Sequence, residues 1–97
     1  VYNGKNSSAW ATNEGLGFWI RQAKRTKQKY SLGAPGLHHI CFKVKSARKG
    51  DALYAYSLKG NIHIFDAPKA YPEYTKNYYA VFLADPDGIK IEVARYS

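Results

Sequence analysis

Ninety-seven residues, of which 45% are hydrophobic and 23% charged, make one small globular domain and exclude both a disordered chain and a second independent core. The formal charge is +8, from 15 Lys and Arg against 7 Asp and Glu, with one cysteine and no methionine. No apolar run approaches the roughly 18 residues of a membrane span, and Cys41 alone can form neither an internal disulfide nor a cysteine-rich zinc site. A cytoplasmic protein without membrane contact is expected.

The charge is clustered. Arg21, Lys24, Arg25, Lys27 and Lys29 fall within residues 21–29 with no acid among them, and Lys43, Lys45, Arg48 and Lys49 within residues 43–49. Such clusters can neutralise phosphates. No helix-turn-helix, RNA-binding aromatic motif or zinc-finger spacing accompanies them, so they read as solvated loops and nucleic acid is not the expected partner.

In chain order, residues 7–11 predict a strand, an acid-glycine turn follows at Glu14-Gly15, and residues 16–20 predict a second strand. Residues 22–36, rich in Lys, Gln and Ser and ending Gly33-Ala34-Pro35-Gly36, read as a linker. Residues 37–44 alternate as a strand, with Ile40, Phe42 and Val44 on the core face and Leu37, His39, Cys41 and Lys43 opposite. Ser46 is placed to cap a helix to Lys59, whose apolar side is Ala52, Leu53, Ala55 and Tyr56, and Gly60 is placed to end it in a left-handed conformation. A short strand at 61–65 and a Pro- and Tyr-rich loop at 66–77 come next. Two apolar runs, 78–84 and 89–94, flank Asp85-Pro86-Asp87-Gly88, whose chemistry predicts a type I turn closed by a glycine bulge. That turn sets Phe82 opposite Glu92 and Leu83 opposite Ile91, leaving one aliphatic face for the helix to cover and turning Glu92 away from it.

Residues 14–20 line up with residues 87–93, both being an acid-glycine turn followed by an apolar strand. The first copy of this repeat lacks the opening strand and helix of the second.

GLHHICFKV at 36–44, DAL at 51–53, YYAVFLADPDG at 78–88 and IKIEVA at 89–94 resemble the vicinal oxygen chelate superfamily, which includes glyoxalase I, bleomycin-resistance proteins and extradiol dioxygenases. The resemblance is close over 36–97 and loose before it. It implies an α+β fold, with a complete second βαβββ module over 34–97 and, over 1–33, the remnant of a first module with its basic linker. In that family each module forms half a cup, and metal-dependent members draw one ligand from the first strand and one from the last strand of each module. His39 and Glu92 match those two positions. Trp19 stands where the first module's glutamate would be, so a divalent metal (Zn, Ni, Mn or Fe) would need ligands from another chain or from upstream.

The expected pocket is the concave face, lined by Trp19, His39, Cys41, Tyr78, Phe82 and Glu92, with Tyr71, Tyr74 and Tyr79 as further walls. Glu92 should have a partner there, Lys90 or His39 being nearest. Cys41 reads as a small apolar filler, His38 as packed at a strand start and His63 as a strand-edge residue. The function expected is binding of a small, anionic molecule without a cofactor, in a homodimer whose chains complete each other's cup. A metal-dependent lyase, isomerase or dioxygenase is the alternative.

Overall fold

Two hairpins organise the chain, and both close on the same turn. In the computed structural model, which describes residues 2–96, Asp85 N–H donates to the Ile89 carbonyl (2.9 Å), Gly88 N–H to the Asp85 carbonyl (3.0 Å) and Ile89 N–H to Asp85 Oδ1 (2.8 Å). At residues 12–16, Thr12 N–H donates to the Leu16 carbonyl (2.8 Å), Gly15 N–H to the Thr12 carbonyl (3.1 Å) and Leu16 N–H to Thr12 Oγ1 (3.1 Å). Gly15 and Gly88 hold matching φ of +91° and +88°, the left-handed bulge position that a Cβ would strain. The repeat that rests on one glycine in sequence is thus a repeat of backbone hydrogen bonds.

The first hairpin belongs to a three-stranded antiparallel sheet of β1 (Tyr2–Asn3), β2 (Ser7–Ala11) and β3 (Gly17–Arg21), in the order β1-β2-β3. The second lies in a four-stranded sheet. Its elements are β4 (Ile40–Lys43), helix α1 (Ala47–Lys59), β5 (Ile64–Ala70), β6 (Tyr79–Ala84) and β7 (Lys90–Arg95), with strand order β4-β7-β6-β5 and β4 parallel to β7. The fold is α+β, with a βαβββ unit following a shorter sheet. Phe82 faces Glu92 and Leu83 faces Ile91, as the turn chemistry requires.

That register divides the second sheet into two faces. Val81, Leu83 and Val93 are buried on one, where Leu53 and Tyr54 of α1 pack with Val44, Ile62, Ile64 and Ile91. Ala80, Phe82 and Ala94 are buried on the other, under Tyr71, with Phe65, Tyr78 and Tyr96 around them.

Several expectations are corrected. The buried stripe of α1 is Gly50 and Ser57 flanking Leu53 and Tyr54, spaced three, one and three residues apart, whereas Tyr56 is 70% exposed. Ser46 sits at the N-cap without a side-chain cap bond, and Gly60 keeps a negative φ of −92° while Asn61 takes the left-handed conformation at +57°. β5 extends through Pro68 to Ala70, because it is an edge strand whose register shifts between Asp66 and Lys69 accommodate the missing N–H. β4 begins only at Ile40. Phe42, expected under the helix, is 43% exposed and meets Phe18 of β3 edge-on at 5.7 Å, because β4 is the edge of its sheet.

Among the described residues no helix lies over the first sheet. Trp10, Phe18 and Ile20 share one face by register, the counterpart of Leu83, Ile91 and Val93, and Trp10, Leu16 and Ile20 are 40%, 70% and 54% exposed. With Ile40 and Phe42 they line an apolar trough of about 800 Å³ between β3 and β4.

Candidate functional site

Register places Glu92 between Cys41 of β4 and Phe82 of β6, on the face turned away from the helix. The residue is 4% exposed, and a carboxylate so buried must be hydrogen-bonded. Both oxygens are engaged: His39 Nε2 lies 3.0 Å from Oε1, and the Tyr78 hydroxyl donates to Oε2. His38 Nδ1 lies 2.8 Å from His39 Nδ1, so one proton is held between the two rings and the pair extends the chain of bonds to the surface.

The neighbours of Glu92 respond to its charge. Burial pushes the Cys41 thiol up to about 11, helped by the charge of Glu92 and a hydrogen bond to it, against a smaller opposing effect of Tyr78. Burial also raises the Tyr78 hydroxyl, followed by its hydrogen bond to Glu92 and the charge there. Both groups are protonated at neutral pH.

A cavity of about 390 Å³ opens above Glu92, lined by His38, His39, Tyr74, Tyr78, Phe82 and Lys90. Lys90 shares the parity of Glu92 in β7. Its Nζ stands 4.7 Å from the Phe82 ring centroid and 5.5 Å from that of Phe65, and makes no ion pair among the described residues. An aromatic wall supports the rim, with Tyr71 stacked on Tyr74 (5.4 Å) and Tyr78 on Tyr96 (5.3 Å).

Of the residues singled out in sequence, His39, Tyr78, Phe82 and Glu92 come together at this cavity, whereas Cys41, opposite Glu92 in register, lines the trough between β3 and β4. Trp19 does not join them. It lies on β3 in the other sheet, 65% exposed, 5.8 Å from the Tyr2 ring, because no strand joins β3 to β4 to bring the two inner faces into one surface. The partner of Glu92 is His39 rather than Lys90. His38, expected in the core, lines the cavity instead, since the alternation of β4 stops short of it. Tyr79, expected as a wall, turns its hydroxyl to Asp51 Oδ1 (2.6 Å) and ties α1 to β6. Cys41 is exposed along the edge strand, and His63 stacks edge-on against Phe65 at 4.8 Å.

As a metal centre the cluster is short of donors. His39 Nε2 and Glu92 face each other, and among the described residues no three His, Cys, Asp or Glu side chains converge.

The sequence matches no protein-family model and no curated protein. Among solved structures it is similar to a putative glyoxalase from Bacillus halodurans, with a TM-score of 0.79 at 20% identity over 99% of this chain and 73% of that one. A glyoxylase/bleomycin resistance protein/dioxygenase domain from Frankia sp. EAN1pec gives 0.73 at 20% identity, covering 98% and 73%. A glyoxalase/bleomycin resistance protein/dioxygenase from Alicyclobacillus acidocaldarius gives 0.62 at 16%, covering 99% and 70%. The chain therefore has the glyoxalase/bleomycin-resistance fold, that of the vicinal oxygen chelate proteins. No helix among the described residues is long and apolar enough to cross a membrane.

Proposed function

We propose that the chain binds a small anionic molecule in the cavity over Glu92, without a metal ion. The observation that carries this reading is Lys90, whose ammonium stands over Phe82 at the cavity with no acidic partner among the described residues. Glu92 is paired with His39 and accepts from Tyr78, and makes no ion pair with Lys90. About 390 Å³ lies at the small end of small-molecule pockets, and the charge of +8 favours anions over cationic drugs. A thermal-shift panel tests it: phosphonoacetate and pyruvate should raise the midpoint, and neutral acetamide should not. Stabilisation that Lys90→Gln leaves intact would refute it.

The protein is further proposed to act as a homodimer, because Trp10, Leu16, Ile20 and Phe42 expose apolar surface beside the open edges of β3 and β4. The same feature supports the alternative reading, a divalent-metal-dependent lyase, isomerase or dioxygenase in which another chain adds donors to His39 and Glu92. Light scattering combined with elemental analysis separates the two. A dimer without bound metal supports the first reading, and one tightly held metal per site supports the second.

A further inference from the structure

The basic linker is not a free tether. Gln22 N–H donates to the Asn6 carbonyl (2.7 Å), and the Tyr30 hydroxyl donates to the carbonyls of Leu37 (2.7 Å) and His38 (3.3 Å), so residues 22–30 are held at both ends. Between them the chain folds against the 85–88 turn and encloses a groove of about 720 Å³. Arg21, Arg25, Thr26, Gln28 and Lys29 of the linker line the groove together with Asp87 of the turn. Three cations against one carboxylate leave the groove at +2. None of the three makes an ion pair among the described residues.

We infer that this groove is a polyphosphate-binding site, taking the phosphate chain of a nucleoside di- or triphosphate or an inorganic polyphosphate. Two guanidinium groups supply forked donors that match phosphate oxygens, and the ammonium of Lys29 adds a point charge. Thr26 and Gln28 add neutral donors to the same groove. The site is compact, since its cations lie within nine residues and the second cluster, Lys43 to Lys49, runs from the end of β4 into the first turn of α1 and lines no part of it. That compactness favours a short ligand over a nucleic-acid strand, which needs charge spread along a track. The groove is separate from the cavity over Glu92, so the two sites stand or fall independently.

Calorimetric titration of the full chain with sodium tripolyphosphate, ATP and the oligonucleotide dT12 tests the inference. Tripolyphosphate and ATP are expected to bind with one-to-one stoichiometry and to weaken as salt rises. The triple variant Arg21→Gln, Arg25→Gln, Lys29→Gln should weaken tripolyphosphate by about tenfold or more, while Lys45→Gln, Arg48→Gln, Lys49→Gln, which removes the same charge elsewhere, should change it by less than about twofold. Lys90→Gln should have no effect. Equal weakening by the two triple variants would reduce the site to diffuse attraction and overturn the inference. So would an absence of tripolyphosphate binding at low salt. Tighter binding of dT12 per phosphate than of tripolyphosphate would assign the groove to nucleic acid instead.

Discussion

The imidazole of His39 meets the carboxylate of Glu92 across 3.0 Å, joining the approach to β4 to the centre of β7 over 53 residues of sequence. With Tyr78 on the second oxygen, this is a buried carboxylate hydrogen-bonded at both oxygens. Glu92→Gln keeps the shape but gives up the charge and sets an NH₂ against one of the two donors. It should destabilise the fold by about 1–3 kcal/mol in urea unfolding. A variant as stable as the parent would mean that the two bonds do not form in solution.

The raised Tyr78 hydroxyl has a consequence for pH. The folded chain holds that proton more tightly than the unfolded chain, whose tyrosines titrate near 10.0. Stability from this source is complete below that value and is lost as pH rises through and above it. Unfolding midpoints followed from pH 8 to 11 should therefore fall above about pH 10, and less steeply in Tyr78→Phe. A midpoint independent of pH over that range would contradict the burial of Tyr78 against Glu92.

Cys41 stands on an exposed edge strand, yet its thiol is partly buried beside Glu92 and chemically quiet, pushed up to about 11. At pH 8 only about one part in a thousand is thiolate, so alkylation by iodoacetamide should be some hundredfold slower than for an ordinary thiol. Glu92→Gln removes the second and third causes of the shift and leaves burial, so alkylation should quicken without becoming ordinary. Rates unchanged by the substitution would show that Glu92 does not act on the thiol.

Ser57 is fully buried in α1 with its Oγ lacking a hydrogen-bond partner. Its carbonyl accepts from Gly60 and Ile62, a role that any residue fills. Ser57→Ala removes an unsatisfied hydroxyl and improves helix propensity, so it should stabilise by about 0.5–1.5 kcal/mol in thermal unfolding. Destabilisation would mean that the hydroxyl has a partner.

The second hairpin was legible because its turn residues dictate the bulge, and the bulge dictates which side chains face each other. The pairing of Phe82 with Glu92 follows from that register, and Cys41 joins them through the parallel pairing of β4 with β7, which no local turn dictates. Helix α1 was harder. Gly50 and Ser57 are the buried residues of the helix, yet a glycine and a serine leave no apolar signal, while Tyr56 leaves a strong one and points outward. Pro68 marked a loop by local chemistry, but an edge strand with bulges tolerates it. Trp19 belongs to the pocket only if the two sheets form one continuous cup, and two separate sheets do not provide it.

The central claim, an anion held at Lys90 over Glu92, is tested most directly by ¹H–¹⁵N correlation spectra recorded during titration with phosphonoacetate. Saturable shifts are predicted at the amides of His38, His39, Tyr78, Phe82 and Lys90, weakened by about tenfold in Lys90→Gln. Shifts confined to the linker at 21–30, or shifts around Glu92 that Lys90→Gln leaves unchanged, would contradict it.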